Sequence, residues 1–533
     1  MGLTKVTYSM VDGPLSYLDD YPSLADALAT GNTVMIPTDT TSITVDSADV
    51  TAVLAGLRQI RAENDIVINL PAGEFTTTTI YSGAPNGSKI TVRGATTLSK
   101  TISAVSSSGS AGAYSVVFTV NSASGISIGN FVFVKSIVGT GREKVLEGCW
   151  EVTNVSGNDV TCLVKARKAS LPALSVSSGT MLVSQTVIKV PNAIGIDVFG
   201  EGNIFQNMVL VGNGAGTGDI SGVRITNGWA GFARSTAYPF GVVNFKEHGF
   251  YPVLGSIISC FDAYSCGNGQ NGLYTLQGSD AQATRLIATG NGTNGAIAST
   301  SAGLAASQGN FSGNGQRGLS VGQMGNLTVA SGYIYENALP GVEATYRGFV
   351  NVDSSKIAGN GTYGVRCQSN SYAYTVSVDY TGGNGSANEL AQTNSIIQTS
   401  GVAQTWDAII TSLETGVATI TNHYTMTMTV ANDAVGYIDF GATFTVRSIQ
   451  FHTTTSSAHQ GAVRARTVSS LATTSIYGTG FDVNNYGTNP TGVLTGTTGT
   501  AGNMTISAAN DGKVYFENRL GTTHTFVLDV MGT

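Results

Sequence analysis

Charged residues are scarce in this chain of 533 residues. Only 11% of them are charged, against roughly 25% in an average domain, and 33 acidic residues outnumber 26 basic ones to give a net charge of −7. No cluster of lysine and arginine occurs, so nucleic acid is not an expected partner. No apolar run approaches the roughly 18 residues of a membrane-spanning helix. The start, Met1-Gly-Leu-Thr-Lys, leads into polar sequence, so neither membrane insertion nor a secretion signal is predicted.

Cysteine and histidine are also rare. The five cysteines are scattered without a C-x-x-C pair, and the five histidines lack an H-x-x-x-H pattern. A disulfide framework and a zinc site each need a more regular set of ligands. We therefore predict no metal and no cofactor. The cysteines are Cys149, Cys162, Cys260, Cys266 and Cys367.

Glycine and small polar residues are abundant instead. The chain contains 68 glycines, and 41% of its residues are hydrophobic, which is too many for a disordered chain. A long β protein with hydroxyls, amides and tyrosines on its surface fits this composition. Such a surface is a plausible partner for sugars.

One glycine recurs every 23 residues. An asparagine keeps the same interval, and the residues that follow each glycine alternate between apolar and variable. A fixed period of this length predicts a repeat architecture in which each unit buries its apolar face against its neighbours. The glycines are Gly249, Gly272, Gly295, Gly318, Gly341 and Gly364, and the asparagines are Asn268, Asn291, Asn314, Asn337 and Asn360.

A unit of 23 residues is too short for a strand, a helix and their loops. Short segments with period 2, such as Asn326-Leu-Thr-Val-Ala, read as strands separated by Gly/Asn corners. We therefore predict a right-handed parallel β-helix with 23-residue coils and an asparagine at one corner. Two inward ladders are expected: Leu273, Ala296, Leu319, Val342 and Val365 in the first, and Thr275, Ala298, Val321, Ala344 and Cys367 in the second.

The rest of the chain divides by changes in this pattern. We predict a short N-terminal segment over residues 1–20, and a helical cap with the first coils over 21–92. Its longer helix covers 47–64, with Val50, Val53, Leu54, Leu57 and Ile60 on one face. A small β-barrel insertion is predicted over 93–190, the β-helix over 191–385, a polar linker over 386–405 and a C-terminal β-sandwich, jelly-roll-like, over 406–533.

Several segments resemble bacteriophage tailspikes and tail fibres with a pectate-lyase-like β-helix. Thr4-Lys-Val-Thr-Tyr-Ser-Met-Val-Asp-Gly-Pro resembles the peptide that precedes the helix in many tailspikes, and Ile68-Asn-Leu-Pro-Ala-Gly-Glu-Phe resembles the strand and turn that open it. Gly125-Ile-Ser-Ile-Gly-Asn-Phe-Val with Gly148-Cys-Trp-Glu-Val-Thr is similar to the β insertion near its start. Tyr515-Phe-Glu-Asn-Arg-Leu-Gly is similar to strands of small C-terminal jelly-roll domains. Where the family has a GAD-type motif after the first peptide, this chain reads Leu15-Ser-Tyr-Leu-Asp-Asp-Tyr-Pro.

The resemblance implies a homotrimeric virion protein, made in the bacterial cytoplasm and attached to the phage tail or baseplate through its N-terminus. It implies recognition of a bacterial surface polysaccharide as receptor. The fold hosts lyases, hydrolases and plain binders, so two hypotheses stay open. The protein either depolymerises the glycan or is a non-enzymatic adhesion or structural fibre. A cellular pectate lyase is a third, weaker alternative.

Glycan hydrolysis usually uses two carboxylates about 5–10 Å apart, and a lyase uses a base with a group that neutralises a uronate. Glu343 and Arg366 both follow a repeat glycine by two residues, so they are expected to be stacked neighbours. They form either a surface ion pair or an acid/base beside an anion-binding arginine. The candidate catalytic residues are Glu343, Glu336 and Asp353. The candidate substrate-binding residues are Arg366, Tyr346, Arg347, Tyr372, Tyr374 and Tyr274.

Two of these assignments have an alternative that involves neighbouring subunits. Tyr251 and Tyr274 either stack on sugar rings or pack at a trimer interface. In a trimer, Glu336 or Asp262 from an adjacent subunit is a further possible contributor to the site.

Overall fold

The 23-residue period of the sequence is one coil of a parallel β-solenoid in the computed structural model. Strands pair in parallel with their equivalents one coil away, so that Leu273 lies opposite Ala296 and Leu319 opposite Val342. The prediction of a mostly β protein built on a parallel β-solenoid is confirmed. The chain forms two compact units, the first ending near residue 399 and the second containing the rest.

The structure describes residues 15–399 except 84, 85, 140, 169, 170, 172, 173, 234 and 394, and parts of 423–532. In that last stretch residues 440–445, 454–459, 468–469, 478–480, 485–492 and 509–512 are left out. The predicted attachment segment over residues 1–20 lies mostly outside the described residues.

Two short helices lie at the N-terminal end of the solenoid and bury their apolar faces in its core. The first, Leu24–Ala29, starts at Ser23, whose hydroxyl accepts a hydrogen bond from the Asp26 amide at 3.1 Å. The second, Val50–Gly56, is shorter than the predicted 47–64, because Leu57–Gln59 forms a 3₁₀ turn and Ile60–Ala62 pairs as a strand with Thr33–Ile36. All five residues of the predicted apolar face are nevertheless fully buried. The remaining elements here are strand Leu15–Tyr17, the 3₁₀ turn Leu18–Asp20 and strand Ser42–Thr44.

Each coil contributes strands to three sides of the solenoid. On the first side the strands are Ile80–Ser82, the first parts of Ile196–Gln206 and Val223–Ala233, Phe250–Val253, Leu273–Leu276, Ala296–Ser299, Leu319–Val321, Val342–Ala344, Tyr363–Cys367 and Ala387–Ala391. On the second side they are Ser42–Thr44, Ile66–Asn69, Ile90–Arg93, the last parts of Ile196–Gln206 and Val223–Ala233, Ile257–Phe261, Asp280–Gln282, Gly303–Ala305, Asn326–Thr328, Phe349–Asn351, Tyr372–Tyr374 and Ile396–Gln398. On the third side they are Gly73–Thr76, Thr186–Lys189, Met208–Val211, Phe240–Val243, Ala263–Cys266, Tyr333–Tyr335 and Lys356–Ala358.

The interior of the solenoid is built from the two predicted ladders. Every member of both ladders is fully buried, including the thiol-bearing Cys367. Burial raises the pKa of the Cys367 thiol. Toward the N-terminal end of the solenoid, larger side chains replace the small ones. There Phe205, Phe232, Phe240 and Phe250 pack together, with ring centroids 5.1–6.4 Å apart.

The asparagines form a continuous buried ladder between the third side and the first. Each side-chain carbonyl accepts hydrogen bonds from the backbone amide and the side-chain amide of the asparagine one coil earlier. For Asn314 these distances to Asn291 are 3.0 and 3.1 Å. The repeat glycine faces this ladder: a Cβ on Gly295 would lie 2.6 Å from the Gly318 carbonyl and 2.9 Å from Asn314 Nδ2. The ladder and the glycine therefore require each other.

A six-stranded closed barrel is inserted between the second side and the third. Its strands are Leu98–Ser110, Ala113–Val120, Phe131–Gly139, Gly148–Ser156, Asp159–Val164 and Val176–Val183, with 3₁₀ turns at Glu143–Leu146 and, just before the insertion, at Gly87–Lys89. Its core is continuous with the outer face of the third side, where Val209, Val243 and Tyr264 are buried. The barrel therefore covers the part of the third side that carries these residues.

Residues 165–168, here named the barrel strap, run along the corner that carries the asparagine ladder. The Arg167 amide donates to the Gly313 carbonyl at 2.8 Å, and Arg167 Nε donates to the Gly290 carbonyl at 3.2 Å. Lys165 donates to Asn244 Oδ1 and Lys168 donates to the Gly359 carbonyl. Four consecutive residues thereby contact corners from Asn244 to Gly359.

The predicted polar linker over 386–405 is partly wrong. Ala387–Ala391 and Ile396–Gln398 pair with the strands of the preceding coil and extend the solenoid. The asparagine ladder also continues, since Asn384 Oδ1 accepts from Asn360 Nδ2 at 2.9 Å. The polar composition misled the prediction because the side chains of these last strands are exposed or only half-buried.

The second unit contains two sheets. The five-stranded antiparallel sheet has the order His423–Val430, His524–Gly532, Val446–Thr453, Gln460–Thr467 and Ser470–Tyr477. The four-stranded sheet has the order Ala434–Asp439, Lys513–Asn518, Met504–Ala508 and Phe481–Asn484. Met428, Ile506, Phe516 and Phe526 are among its buried side chains.

Candidate functional site

An outward-facing ladder runs the length of the first side, between the two buried ladders. It passes through side chains of changing chemistry: Asp197, Arg224, Tyr251, Tyr274, Ile297, Ser320, Glu343 and Arg366. Adjacent members lie one coil apart, or roughly 4.8 Å. The expectation that Glu343 and Arg366 are stacked neighbours is confirmed. Tyr274 and Glu343 share this ladder but are three coils apart, roughly 14 Å along the axis.

Glu343 lies between two arginines. Its carboxylate contacts Arg366 Nη2 on one side and Arg317 Nε on the other, and its side chain is only 3% exposed. Both carboxylate oxygens are already occupied by guanidinium groups, so these contacts favour a structural role. Arg317 was not predicted. The sequence signal for it is its position directly before the repeat glycine Gly318, beside the outward ladder.

Glu336 is held by two cations of the insertion. Lys168 Nζ lies 2.8 Å from its carboxylate, Arg142 contacts the other oxygen, and the side chain is 2% exposed. Its backbone is left-handed, with φ 56°. The equivalent positions in neighbouring coils are also left-handed but are glycines: Gly267, Gly290, Gly313 and Gly359. The solenoid therefore carries a strained residue at this corner, and its ion pairs join the barrel to the coils.

Asp353, Tyr346 and Arg347 lie at turns. Tyr346 and Arg347 form a left-handed pair between the first side and the second, with φ 48° and 63°, and Tyr346 is 64% exposed. Asp353 follows the next strand, where its amide donates to Asn351 Oδ1 at 2.9 Å and its carboxylate accepts from Ser354. Among the described residues, no hydrogen bond or ion pair joins Asp353 to Glu343.

Tyr372 and Tyr374 lie on the second side, across that turn from Glu343. Tyr372 stacks on Phe349 with ring centroids 5.5 Å apart and planes 4° apart, and its hydroxyl contacts Gln398. The structure therefore does not bring the predicted substrate-binding residues into one group. Asp262, the other residue considered for an intersubunit site, forms a two-point ion pair with Arg285 at 2.5 and 2.8 Å.

Tyr274 belongs to an aromatic cluster near the middle of the first side. It stacks on Tyr251 with ring centroids 5.6 Å apart and planes 22° apart, and both rings contact His248. His248 begins a polar row directly before the repeat glycines. Asn271 Nδ2 lies 3.2 Å from His248 Nδ1, and Asn294 Nδ2 donates to Asn271 Oδ1 at 2.8 Å. The row fixes the imidazole under the tyrosines.

A carboxylate pair that the sequence analysis missed lies beside these rings. Partial burial raises the pKa of Glu247, and the hydrogen-bonded Asp219 carboxylate raises it further. Asp219 is held by Ser221 at 2.7 Å and by Arg224 at 3.5 Å. Arg224 also makes a two-point contact with Asp197, at 3.0 and 2.8 Å. Four charged residues thus meet next to the tyrosines.

The sequence signal for this group is a longer corner. Ten residues, 212–221, separate Val211 from Gly222, whereas five separate Val243 from Gly249 in the next coil. The extra residues, here named the corner loop, carry Asp219 and contain Gly214, Gly216 and Gly218 in left-handed conformations. Insertions on a repetitive scaffold are tolerated in loops, where function concentrates.

No protein-family model and no curated protein matches the sequence. Several solved structures do resemble the chain. The A-module of the mannuronan C-5 epimerase AlgE4 of Azotobacter vinelandii is 12% identical, with 72% of this chain and 96% of that chain covered and a TM-score of 0.35. Several phage tailspikes are among these structures.

Two of the tailspikes come from phages of Acinetobacter baumannii. The Gp54 tailspike of phage AP22, solved with a capsular saccharide of that bacterium, is 10% identical, with 97% and 96% of the two chains covered and a TM-score of 0.21. The tailspike gp49 of phage Fri1, described as a capsular polysaccharide depolymerase, is 11% identical, with 98% and 86% covered and a TM-score of 0.20. At these levels the likeness concerns the fold.

Within the described ranges, no group of three or more His, Cys, Asp or Glu side chains is arranged to hold a metal ion. None of the helices in the described residues combines the length and the apolar character needed to cross a bilayer.

The buried imidazole gives a testable dependence of stability on pH. Burial lowers the pKa of His248 to about 4 from its ordinary value of 6.5, so between pH 6.5 and 4 the unfolded chain binds a proton that the folded protein refuses. This histidine should therefore lower the free energy of unfolding by about 3 kcal/mol as the pH falls from 6.5 to 4. Above pH 6.5 it is neutral in both the folded and the unfolded chain and makes no such contribution. Denaturant titrations at pH 7 and 4 test this.

The matched control is H248N, because asparagine occupies this position in the next two coils. The variant should lose less stability than the wild type between pH 7 and 4. Equal losses in the two proteins would contradict the assigned burial of the imidazole.

Proposed function

We propose that this protein is a phage tailspike that binds a bacterial surface polysaccharide and hydrolyses it on the first side of the solenoid. The observation that carries the proposal is the Asp219–Glu247 carboxyl pair beside the stacked rings of Tyr251 and Tyr274. The tailspike role rests on the sequence resemblance at residues 4–14 and 68–75. As in that family, we expect a homotrimer in the virion, attached to the tail through the N-terminus.

The two tyrosines supply a surface for a sugar ring. Both rings are partly exposed and belong to consecutive coils, so their stack continues along the axis of the solenoid. Aromatic faces bind the apolar faces of sugars and keep a polar hydroxyl at the edge. Burial raises the pKa of both phenols, and Asp219 adds to the effect at Tyr251. The tyrosines thus stay protonated near neutral pH, which favours binding over a role as the base of a lyase.

Glu247 is the proposed proton donor. A carboxyl group with a raised pKa retains its proton closer to neutral pH, and a general acid needs that proton when the glycosidic oxygen leaves. Asp219 keeps the proton on Glu247 because two neighbouring carboxyls do not both ionise readily. Environments that separate the pKa values of two carboxyls are typical of sites that divide acid and base roles.

Hydrolysis also needs a carboxylate that acts on water or on the anomeric carbon. Asp197 is the candidate, since Arg224 holds it near the tyrosines and Asp219 is the residue that keeps the proton on Glu247. Asp197 lies two coils from Tyr251 along the ladder, or roughly 10 Å. The variant D197N tests this assignment, because loss of the true partner removes turnover while leaving glycan binding intact.

The other residues singled out in the sequence stay predictions. Glu343 with Arg366 lies four coils from Tyr251, roughly 19 Å away, and would form a second part of the binding surface. Tyr346 and Arg347, exposed at the turn, and Tyr372 with Tyr374 would extend that surface onto the second side. Glu336 and Asp353 have contacts that favour structural roles.

The experiment is to mix the purified chain with surface polysaccharide from the host and follow new reducing ends together with absorbance near 235 nm. New reducing ends without absorbance support the proposed hydrolase. A rise in both signals would replace it with a lyase. Binding without either signal would reject depolymerisation of that glycan and leave a non-enzymatic receptor-binding fibre.

A further inference from the structure

A positively charged pocket lies at the corner where the barrel strap meets the corner loop. Its volume is about 270 Å³. Lys165 and Arg167 of the barrel strap and Lys246 of the solenoid line it, together with Asn213, Gly214, Asn244, Phe245, Gly267 and Gly269. No carboxylate is among the lining residues.

The three cations are held in place by neutral groups. Lys165 donates to Asn244 Oδ1, Arg167 to the Gly290 carbonyl at 3.2 Å, and Lys246 to the Gly216 carbonyl at 2.6 Å. Among the described residues, none of the three lies within 4.0 Å of a carboxylate oxygen of an acidic side chain. This contrasts with the neighbouring Arg142 and Lys168, which share Glu336.

Three cationic side chains that line one pocket without a carboxylate repel one another. A bound anion would offset this repulsion. Burial lowers the pKa of Lys165 and the charge of Arg167 lowers it further, while the charge of Glu151 partly opposes both effects. Burial also lowers the pKa of Arg167. Both directions mean that the pocket disfavours its own positive charge. An anion that enters it would relieve that repulsion and receive charge-assisted hydrogen bonds.

The pocket and the carboxyl pair share two chain segments. The corner loop lines the pocket with Asn213 and Gly214 and carries Asp219 five residues later. Lys246 precedes Glu247 directly, and its ammonium group is tied to the corner loop at Gly216. The pocket and the carboxyl pair are therefore built from the same two segments of the chain.

We infer that the pocket binds the carboxylate of an acidic sugar in the polysaccharide, so the substrate is an anionic glycan. This inference rests on the proposed function, whose site it extends. The small volume suits a single substituent or sugar unit rather than a length of chain, since it falls below the roughly 300–1,000 Å³ of pockets for larger ligands. The carboxyl pair cannot take this role, because it repels an anion.

The test compares binding of the host polysaccharide with binding of the same polysaccharide after chemical reduction of its carboxyl groups. The proteins are the full chain, the double variant K165Q/K246Q and the control K356Q, which removes an exposed lysine on the third side. The double variant should bind the native glycan at least tenfold more weakly, because two charge-assisted contacts are lost. Both the wild type and the double variant should bind the reduced glycan equally weakly, and K356Q should behave as wild type.

Failure of the inference and failure of the proposed function give different results. If the wild type binds the glycan and the double variant binds it equally well, the pocket inference is overturned and the proposed function stands. If the wild type binds no glycan, the proposed function fails. The pocket is then probed with sodium glucuronate and inorganic phosphate in calorimetry. Saturable binding of glucuronate that K165Q/K246Q loses would keep a carboxylate site, binding of phosphate alone would replace it with a phosphate site, and no binding would overturn it.

Discussion

Replacing Glu247 with glutamine is expected to lower the rate of glycan cleavage by roughly 10²–10⁴-fold, the usual contribution of a general acid. Glutamine keeps the size and the hydrogen-bonding capacity of the side chain but has no proton to give to the leaving oxygen. Binding should change little, since the stacked rings of Tyr251 and Tyr274 remain. The measurement is the initial rate of reducing-end release, together with the glycan affinity of the same preparation.

Two further variants, one a control and one a second test, accompany this measurement. D280N removes an exposed carboxylate on the second side and should leave the rate unchanged. D219N removes the charge that helps to keep the proton on Glu247. As the pH is raised, the remaining activity of this variant should therefore begin to fall at a lower pH than that of the wild type. An E247Q protein that cleaves the glycan at the wild-type rate would exclude Glu247 as the acid.

Replacing Asn314 with alanine should cost the solenoid roughly 2–6 kcal/mol. Asn314 accepts from the Asn291 backbone amide and side chain, and donates to the Ala288 carbonyl at 3.1 Å and to Asn337 Oδ1 at 3.0 Å. Its removal leaves at least the Asn291 amide and the Ala288 carbonyl buried without these partners, at about 1–3 kcal/mol each. The measurement is the urea midpoint of the solenoid transition.

The matched control is N326A, which truncates an exposed asparagine on the second side of the next coil. It should change the free energy of unfolding obtained from the urea midpoint by less than about 0.5 kcal/mol. Equal effects of N314A and N326A would mean that the ladder adds no more to stability than ordinary surface amides.

The repeat made most of the solenoid predictable, because identical spacing forces identical neighbours. Once Gly272 and Gly295 were placed in one register, Leu273 and Ala296 had to be stacked and inward, as they are. Boundaries were harder. Residues 57–62 continue a helical apolar pattern, yet Ile60–Ala62 is a strand because a partner strand at Thr33–Ile36 is available. A local pattern does not contain that information.

The candidate site was less predictable for a related reason. The repeat positions carry Glu343, whose neighbour one coil later is Arg366, so this pair was predictable. The position directly before the glycine has no such obvious pattern, yet it places Arg317 on the same carboxylate. Asp219 belongs to no repeat position, since it lies in the longer corner loop. Its contact with Glu247 depends on how that loop folds back.

Glu336 has a further consequence for how the barrel finds its place. The backbone at the corner that the barrel strap follows repeats about every 4.8 Å. If every coil carried glycine there, the insertion could bind almost equally well one coil earlier or one coil later. Glu336, paired with Lys168 and Arg142, removes that degeneracy for the barrel strap. A shift by one coil would leave its carboxylate buried without Lys168 or Arg142, and would press both cations against glycines. Buried ionic groups are often better at selecting one alignment than at adding stability. In a scaffold of repeated coils, this strained residue therefore determines against which coil the barrel insertion is aligned.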